Sequence, residues 1–330
     1  MCTGISYKTI SQHEFFGRTQ EYDVDYDYAV IQFPRNYAVP AEIYPWQTTH
    51  SVLGVGTLAD GQVMPMVLDG INEHGLAAST QYFADDFRYA SVEDIKAAGK
   101  EPVYAELLIF YLLSQCETID QVIDCLDTIG IPNVSIVKES GLPQHFFLKD
   151  LSGRSIVIEP SIPLGFKVFE NPIGVMTNGP TFDWHLTNLR NYSGLTKTNR
   201  PNMSLDKLEI PSFGKGTGLI SLPGDFTSPA RFIRSAMLLN LSQPVTEEQG
   251  PNFGFHILAT VDIPKGVIAD GVSVQYTQYT SLYNQTDLSL YIKLYDNLAI
   301  QRVTLDPDFL TCDQPKVYQL QKTPHYYDLT

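Results

Sequence analysis

Short runs of mostly apolar, β-forming residues dominate the first hundred positions of the chain. Glycine and asparagine separate them, as in Asp69-Gly70-Ile71-Asn72-Glu73-His74-Gly75, a composition typical of turns. Runs of this length and composition are typical of β-strands. The strands predicted in this block cover residues 2–8, 14–18, 28–33, 51–57, 64–69 and 76–83.

Helical patterns follow this block of strands. Residues 102–115 would be apolar on most sides of a helix, which predicts a buried helix. Residues 119–126 form a second predicted helix, with Thr118 in the N-cap position. Farther along, strands are predicted over residues 144–149, 155–160, 165–170, 174–177, 272–281, 287–295 and 300–304, and helices over residues 182–191, 229–241 and 247–258.

Alternating blocks of strands and helices predict a layered α+β fold. A sheet must bury its faces against other elements, so this order of elements leads to a sandwich of sheets and helices. No linker divides residues 1–330 and no internal repeat is visible, which indicates a single domain. Residues 193–225 are weakly periodic and contain glycine and proline. Long segments of this kind usually serve a function or an interaction, and an oligomer contact is one interpretation.

The amino-acid composition limits the class of protein and the kinds of partner that we expect. The chain has 330 residues, of which 43% are hydrophobic, enough for a substantial core. Its formal net charge is −15 and no basic cluster is visible, which argues against nucleic acid and anionic membranes as partners. No stretch approaches the roughly 20 apolar residues of a membrane span, and no signal peptide is visible. We therefore expect a cytoplasmic protein whose four cysteines are reduced.

The second residue, Cys2, is the most informative candidate for chemistry. If Met1 is removed, Cys2 becomes the N-terminus and carries a thiol and a free α-amine on one residue. The amine has an ordinary pKa of roughly 7.7–8.0 and a thiol about 8.5, so the amine can accept the thiol proton near neutrality. Cys2 therefore supplies both a nucleophile and its base.

Three later segments carry polar groups suited to such a nucleophile. Phe16-Gly17-Arg18-Thr19 follows the first strand at hairpin distance, which would place a guanidinium beside the N-terminus. Gly174-Val175-Met176-Thr177-Asn178-Gly179-Pro180 is a predicted strand that ends in a polar turn. Leu222-Pro223-Gly224-Asp225-Phe226-Thr227-Ser228-Pro229-Ala230-Arg231-Phe232 is a loop that leads into a helix.

These segments, in this order and spacing, resemble the choloylglycine hydrolase family, which includes bile salt hydrolases and penicillin V acylases. The resemblance continues through Tyr276-Thr277-Gln278-Tyr279-Thr280-Ser281 and closes at Tyr295-Asp296-Asn297, so it covers essentially the whole chain. It implies the N-terminal nucleophile hydrolase fold, a four-layer αββα sandwich. It also implies cleavage of linear amides, and assembly as a homotetramer.

The resemblance assigns a role to five positions. Cys2 is the nucleophile, and Arg18 favours its thiolate. Asn178 resembles the side chain of the oxyanion hole, where an amide stabilises negative charge without ionising. The backbone N–H of Tyr82 completes that hole, and Arg231 resembles the arginine that ties the catalytic loop to the nucleophile. Penicillin V acylases tend to carry tyrosine at the position of Tyr82, whereas bile salt hydrolases tend to carry asparagine.

Glu21 departs from the family pattern. The family has an aspartate three residues after the first arginine, which holds the α-amine, and this chain has a glutamate there. Glutamate supplies the same charge on a side chain that is one methylene longer. A displacement of about 1 Å in a catalytic group can reduce the rate by as much as ~10²-fold. We therefore expect the rate to be affected more than the reaction.

The function predicted first is that of a penicillin V acylase, which converts phenoxymethylpenicillin into 6-aminopenicillanate and phenoxyacetate. The alternatives are a conjugated bile salt hydrolase and a non-catalytic protein that binds an acylated ligand. The expected partner in each case is a small N-acyl amide, and no cofactor is implied. No metal site is predicted, because the histidines lack metal-ligand spacing and Asp23–Asp27 lacks the glycine and glutamate of a calcium loop.

Overall fold

A computed structural model describes residues 1–136 and 141–329. Its helices begin after side-chain caps at several positions, including Thr118, which accepts from the backbone N–H of Gln121 as predicted. The helices within the described residues are α1 Val92–Ala97, α2 Leu108–Gln115, α3 Ile119–Leu126, α4 Phe182–Asn188, α5 Ser228–Leu241 and α6 Gly250–Ala259.

The strands are more numerous than the sequence predicts. Their bounds are β1 Cys2–Lys8, β2 Glu14–Tyr22, β3 Asp27–Phe33, β4 Ala38–Val39, β5 Trp46–Gln47, β6 Val52–Ala59, β7 Gln62–Asn72, β8 Ala77–Tyr82, β9 Glu101–Pro102, β10 Ile129–Gly130 and β11 Gln144–Lys149. They continue with β12 Ser155–Ile162, β13 Gly165–Glu170, β14 Val175–Met176, β15 Met203–Leu205, β16 Leu208–Ile210, β17 Ile268–Asp270, β18 Ser273–Asn284, β19 Ser289–Leu294, β20 Gln301–Thr304 and β21 Lys316–Tyr318.

Two large antiparallel sheets form the centre of the molecule. The first has the strand order β14-β1-β2-β18-β19-β20, with β17 paired to β18. The second has the order β13-β12-β11-β8-β7-β6-β3-β21. Strands that carry the N-terminus and strands from the last third of the chain are neighbours in the first sheet. The first sheet therefore joins the N-terminal hairpin to β18, β19 and β20, whereas the last strand, β21, belongs to the second sheet.

Hydrophobic clusters between the layers show how the sheets and helices pack. One cluster joins the second sheet to α2 and α3, with Phe33, Phe110 and Phe146 fully buried in it. A second cluster lies between the two sheets and extends to α4, α5 and α6, with Phe16 and Phe232 at its centre. The order helices, sheet, sheet, helices is the predicted four-layer α+β sandwich, which is thereby confirmed.

Some predicted elements have different bounds. The helix predicted over residues 102–115 begins only at Leu108, because residues 101–102 pair as a parallel strand with residues 129–130 and residues 105–107 form a 3₁₀ turn. Helix α1 has six residues, too few to give a periodic signal, and was not predicted. Among the described helices, none combines the length and the apolar composition that a membrane span requires.

Candidate active site

The hairpin of β1 and β2 brings the thiol of Cys2 next to a guanidinium. In its register Cys2 lies opposite Gln20, and Gly4 lies opposite Arg18. Cys2 and Gly4 are two residues apart and so point to the same face of the sheet, which places Arg18 diagonally across from Cys2. The Nη2 atom of Arg18 lies 2.7 Å from Cys2 Sγ. The predicted contact between Arg18 and Cys2 is therefore present in the structure.

Arg18 is fully buried and held by backbone oxygens from the second sheet. Its Nη1 donates to the carbonyl oxygens of Leu68 and Thr80 at 3.1 and 2.7 Å. Burial disfavours its charge, but the negative groups around it, Cys2 first, outweigh burial, so the pKa of Arg18 lies above its ordinary value. The guanidinium is therefore a fixed positive charge beside the sulfur.

Asp69 lies behind Arg18 and was missed by the sequence analysis. Its carboxylate is 3.9 Å from Arg18 Nη1 and has no solvent exposure. It accepts hydrogen bonds from Tyr279 Oη at 2.5 Å, Ser281 Oγ at 2.8 Å and Tyr283 Oη at 2.7 Å. We call Asp69 and its three donors, Tyr279, Ser281 and Tyr283, the Asp69 cage. Because a buried charge needs a partner and several donors, the cage explains how a charged Arg18 is accommodated in the interior.

Asn178 is oriented by hydrogen bonds at both ends of its amide. Its Oδ1 accepts from the backbone nitrogen of Cys2 and from Arg231 Nη2, both at 2.8 Å. Both partners are donors, so the oxygen is fixed on that side and Nδ2 must face the other way. Nδ2 donates to the carbonyl oxygen of Tyr82 at 2.9 Å. The two residues predicted to form an oxyanion hole are therefore in direct contact.

The turn that carries Asn178 is held by buried side chains. His185 Nε2 lies 2.9 Å from the carbonyl oxygen of Asn178, and His145 Nε2 lies 2.9 Å from that of Thr177. Since a carbonyl oxygen only accepts, each Nε2 carries the proton. Burial lowers the pKa of His185 to about 4, so this ring is neutral at pH 7. Ser228 Oγ completes the set by bonding to both backbone groups of Asn178.

Arg231 joins the N-terminus to the loop before α5. Its Nη1 donates to the carbonyl oxygen of Cys2 at 2.6 Å and to Thr3 Oγ1 at 2.7 Å, and its Nε donates to Phe226 O at 3.0 Å. The guanidinium is fully buried, and burial lowers its pKa. The predicted link between Arg231 and Cys2 is present as hydrogen bonds to the backbone of Cys2 and to Asn178.

Glu21 lies at the end of the same hairpin, next to Met1. Its backbone groups pair with those of Met1, whose amine donates to Glu21 O at 3.0 Å and to Gln275 Oε1 at 3.2 Å. The carboxylate accepts from Thr277 Oγ1 at 2.7 Å. Burial raises the pKa of Glu21, whereas Arg231 and the amine of Met1 act in the opposite direction. The side chain of Glu21 is therefore anchored on β18 and acts on the N-terminal amine through its charge.

A cavity of about 630 Å³ opens beside Cys2. Alternate residues of β7, namely Met64, Met66 and Leu68, line one wall, as the two-residue period of a strand requires. Tyr82, which is 52% exposed, lies at this cavity. A cavity of this size with mostly apolar walls and few polar groups is typical of small-molecule sites. Other lining residues are Tyr22, Asp23, Tyr26, Leu58, Glu106, Leu142, Pro143 and Gln144.

The predicted site residues meet at one end of this cavity. The fold brings Cys2, Arg18, Asn178 and Arg231 into hydrogen-bonding contact, and Glu21 and Tyr82 line the same cavity. Gln20, whose Oε1 accepts from Arg18 Nη2 and lies 3.9 Å from Cys2 Sγ, was not predicted. The described side chains that have metal-ligating geometry lie elsewhere, at His50, Glu73 and His74.

Comparison with known proteins agrees with this geometry. The family model for linear amide C–N hydrolases of the choloylglycine hydrolase family matches residues 2–318. The chain belongs to this family. It is accordingly an amidohydrolase that acts on linear amides, and its fold is that of the N-terminal nucleophile hydrolases.

Several relatives of this family member match over nearly their full length. The bile salt hydrolase/transferases from Lactiplantibacillus plantarum and Clostridium perfringens are 32% and 33% identical to it, with 99% and 98% of both chains covered. The crystal structure of a mutant of the conjugated bile acid hydrolase from Clostridium perfringens superposes with a TM-score of 0.90 at 30% identity, over the whole of both chains. Penicillin V acylase from Agrobacterium tumefaciens gives a TM-score of 0.72 at 18% identity, covering 96% and 91% of the chains, which shows a shared fold alone.

Proposed function

We propose that this family member hydrolyses conjugated bile salts, releasing a bile acid and glycine or taurine. The observation that carries the reaction is the contact of Cys2 Sγ with Arg18 at 2.7 Å, at the wall of a large and mostly apolar cavity. The substrate class is supported by the full-length relatives, which are named for bile salts. This reverses the order predicted from the sequence, which put phenoxymethylpenicillin first.

Removal of Met1 is the first requirement of the proposed mechanism. Met1 lines the cavity and its amine is held by Glu21 and Gln275, so Cys2 has no free amine while Met1 is present. Once Met1 is cleaved, the nitrogen of Cys2 becomes the α-amine and keeps Asn178 Oδ1 as its acceptor at 2.8 Å. The same cleavage enlarges the cavity next to the sulfur.

Acylation then uses the two groups of Cys2. The α-amine accepts the thiol proton, and the thiolate, favoured by Arg18, attacks the carbonyl carbon of the amide to form a C–S bond. The negative charge that develops on the carbonyl oxygen is bound by the backbone N–H of Tyr82 and by Asn178 Nδ2, which has a second hydrogen besides the one given to Tyr82 O. The C–N bond breaks as the α-ammonium protonates the leaving nitrogen.

Hydrolysis of the thioester regenerates the enzyme. The α-amine, now neutral, accepts a proton from a water molecule as the water oxygen attacks the acyl carbon. The C–S bond breaks, the carboxylic acid leaves, and the proton returns to the pair formed by the amine and the thiol. Arg231 fixes the carbonyl oxygen of Cys2 and the Oδ1 of Asn178 throughout, so that both groups keep their positions between the two steps.

Phenoxymethylpenicillin remains a second candidate because of Tyr82. This tyrosine and the neighbouring Tyr22 and Tyr26 all line the cavity, and aromatic walls suit a phenoxy group. The same walls also suit a steroid. The aromatic residues therefore favour a substrate with an apolar acyl group, but they do not distinguish phenoxymethylpenicillin from a bile salt.

A side-by-side assay tests the proposal. Intact mass first verifies the loss of Met1, and hydrolysis of glycocholate, taurocholate and phenoxymethylpenicillin is then compared, with Cys2→Ala as the matched control for each substrate. We expect kcat/KM to be at least about tenfold higher for a bile salt than for the penicillin, and no turnover by the control.

Two outcomes would contradict the proposal in different ways. A higher kcat/KM for phenoxymethylpenicillin would reject the substrate class and keep the mechanism. No turnover of any of the three amides requires a labelling experiment. Slow alkylation of Cys2 by iodoacetamide would then indicate a binding protein, whereas fast alkylation would indicate an active nucleophile that acts on another N-acyl amide.

A further inference from the structure

A second cluster of reactive side chains lies beyond the end of β7, away from Cys2. Arg18 contacts the carbonyl oxygen of Leu68, and β7 continues for four more residues, about 13 Å of extended chain, before it ends at Asn72. His74 follows in the next turn. The cluster therefore stands apart from the nucleophile and is not used in the mechanism above.

Two imidazoles and a carboxylate converge in this cluster. His50 Nδ1 and His74 Nε2 are 3.1 Å apart. Glu117 Oε1 lies 3.7 Å from His74 Nε2. Its 3.9 Å distance to His50 is to Nε2, the ring nitrogen that does not face His74, so Glu117 must turn toward Nδ1 to share a cation with both rings. Glu73 adds a second carboxylate, since it offers a ligand atom within 4.8 Å of both histidines. These are nitrogen and oxygen donors of the kind that bind zinc.

One backbone hydrogen bond and three made by the side-chain amide of Asn72 fix the three segments that carry these side chains around the end of α2. The N–H of His50 donates to Ser114 O at 3.0 Å. Asn72 Nδ2 donates to Leu113 O at 2.9 Å and to Cys116 O at 2.7 Å, while its Oδ1 accepts from the N–H of His74 at 3.0 Å. The segments before His50, His74 and Glu117 are therefore held together without any metal. Such preorganisation lowers the entropic cost of binding a ligand.

The separations fit the coordination sphere of zinc. Zinc lies about 2.0–2.2 Å from nitrogen and oxygen ligands in a tetrahedral arrangement, which places the ligand atoms roughly 3.3 Å from one another. The observed separations of 3.1 and 3.7 Å lie on either side of that value. Calcium and magnesium prefer oxygen ligands alone and would not use the two imidazoles.

Glu73 is occupied by other donors. Arg35 Nε lies 2.9 Å from its Oε1, and the N–H of Ser51 donates to the same oxygen at 2.6 Å. Glu117 has a side chain that is 44% exposed and can move by the small distance that coordination requires. Glu117 is therefore the better third ligand, because the charge of Glu73 is already paired with that of Arg35.

We propose that His50, His74 and Glu117 form a binding site for zinc or a similar divalent cation that prefers imidazole, with one coordination position open to solvent. The bound cation links the segment before β6, the turn after β7 and the segment between α2 and α3, so it stabilises the fold by binding to the native state. The sequence gives no local sign of this site, because the ligands are 24 and 43 residues apart and meet only in the fold.

Titration with zinc tests the proposal. The probe is Zn²⁺ added to untagged protein whose Cys2 has been alkylated, because a thiol and an amine on one residue would themselves bind the metal. We expect one Zn²⁺ per chain by calorimetry and a higher Tm with zinc than without it. His74→Ala should abolish both effects, and Glu117→Gln should weaken binding by about tenfold or more. His256→Ala, which removes an exposed histidine on α6, is the matched control and should change neither.

Absorption of bound Co²⁺ provides a second readout that identifies the ligands. Nitrogen and oxygen ligands give visible bands without the near-ultraviolet charge-transfer band of a thiolate. An unchanged stoichiometry and Tm shift in His74→Ala would overturn the proposal, as would a thiolate band in otherwise wild-type protein alkylated at Cys2. Absence of zinc binding in wild-type protein that is folded by circular dichroism would overturn it as well.

Discussion

A substitution at Glu21 can separate the effect of side-chain charge on catalysis from the effect of side-chain length. The Glu21 carboxylate is buried and bonded to Thr277. Burial lowers the pKa of the Met1 amine, and the negative charge of Glu21 opposes that shift. Glu21→Gln keeps the length of the side chain and removes the charge. We expect the maximum of kcat/KM to fall about tenfold or more, because the amine loses the charge that holds it in position, with the fold intact.

The dependence of kcat/KM on pH shows in which direction Glu21→Gln changes the pKa of the α-amine. The α-amine must be neutral to accept the thiol proton, so its pKa sets the acidic limb of kcat/KM. A nearby negative charge favours the ammonium form, and its removal lowers the pKa of the amine. The acidic limb of Glu21→Gln should therefore move to lower pH. Asp23→Asn removes an equal but exposed charge from the same cavity and should leave the limb unchanged. A limb that moves only in Asp23→Asn would show that Asp23 holds the amine instead.

The residues around Cys2 could be predicted, whereas the Asp69 cage could not. Cys2, Arg18, Asn178 and Arg231 each lie in a contiguous motif whose order along the chain carries information. Asp69 acquires its role only when β7 and β18 are brought together from different sheets, with donors more than 200 residues away. Nothing local distinguishes it from an aspartate in a turn. Contacts of this kind follow from tertiary structure alone.

At the scale of elements, the Asp69 cage ties the two sheets together. Tyr283, on β18, donates to Asp69 Oδ1 at 2.7 Å across the interface between the sheets. Tyr283→Phe leaves the buried carboxylate with one donor fewer. We expect the free energy of unfolding to fall by about 1–3 kcal/mol, measured by urea denaturation. The ring itself is retained, so little packing is lost.

Tyr291 offers a matched control on the neighbouring strand. It lies on β19, is partly buried and stacks on Arg302, a contact that phenylalanine preserves. Tyr291→Phe should change the free energy of unfolding by less than about 0.5 kcal/mol. Equal losses in the two variants would show that the cage contributes nothing beyond an ordinary tyrosine.

Strand length decides which elements the sequence could predict. The strands β1, β11 and β13 have the predicted bounds, because six or seven residues suffice for a composition signal. Of the strands of two or three residues, β14 lies within the strand predicted over residues 174–177, whereas others, such as β4, β9 and β15, were missed. They are specified by their pairing partners, and the sequence of so short a segment carries no period.

At the scale of the whole molecule, the segment 193–225 contains a hairpin that the body of the protein does not cover. In the pairing of β15 with β16, Met203 lies opposite Ile210 and Leu205 lies opposite Leu208. Cross-strand partners share a face, so these four apolar side chains form one surface. Met203, Leu205 and Leu208 are between 52% and 62% exposed. A hairpin of two strands is marginal by itself, so this face needs a partner.

We propose that the partner is a second copy of the chain and that this face is one of the contacts through which the protein assembles as a homotetramer. Light scattering after size exclusion should give about four times the chain mass of 36.9 kDa. The double variant Leu205→Glu/Leu208→Glu places two charges on the apolar face and should give a smaller species, because burying unpaired charges is unfavourable. Ser204→Lys, on the opposite face of the same hairpin, should leave the mass unchanged. An unchanged mass in the double variant would instead show that the subunits meet elsewhere and that the hairpin serves another contact.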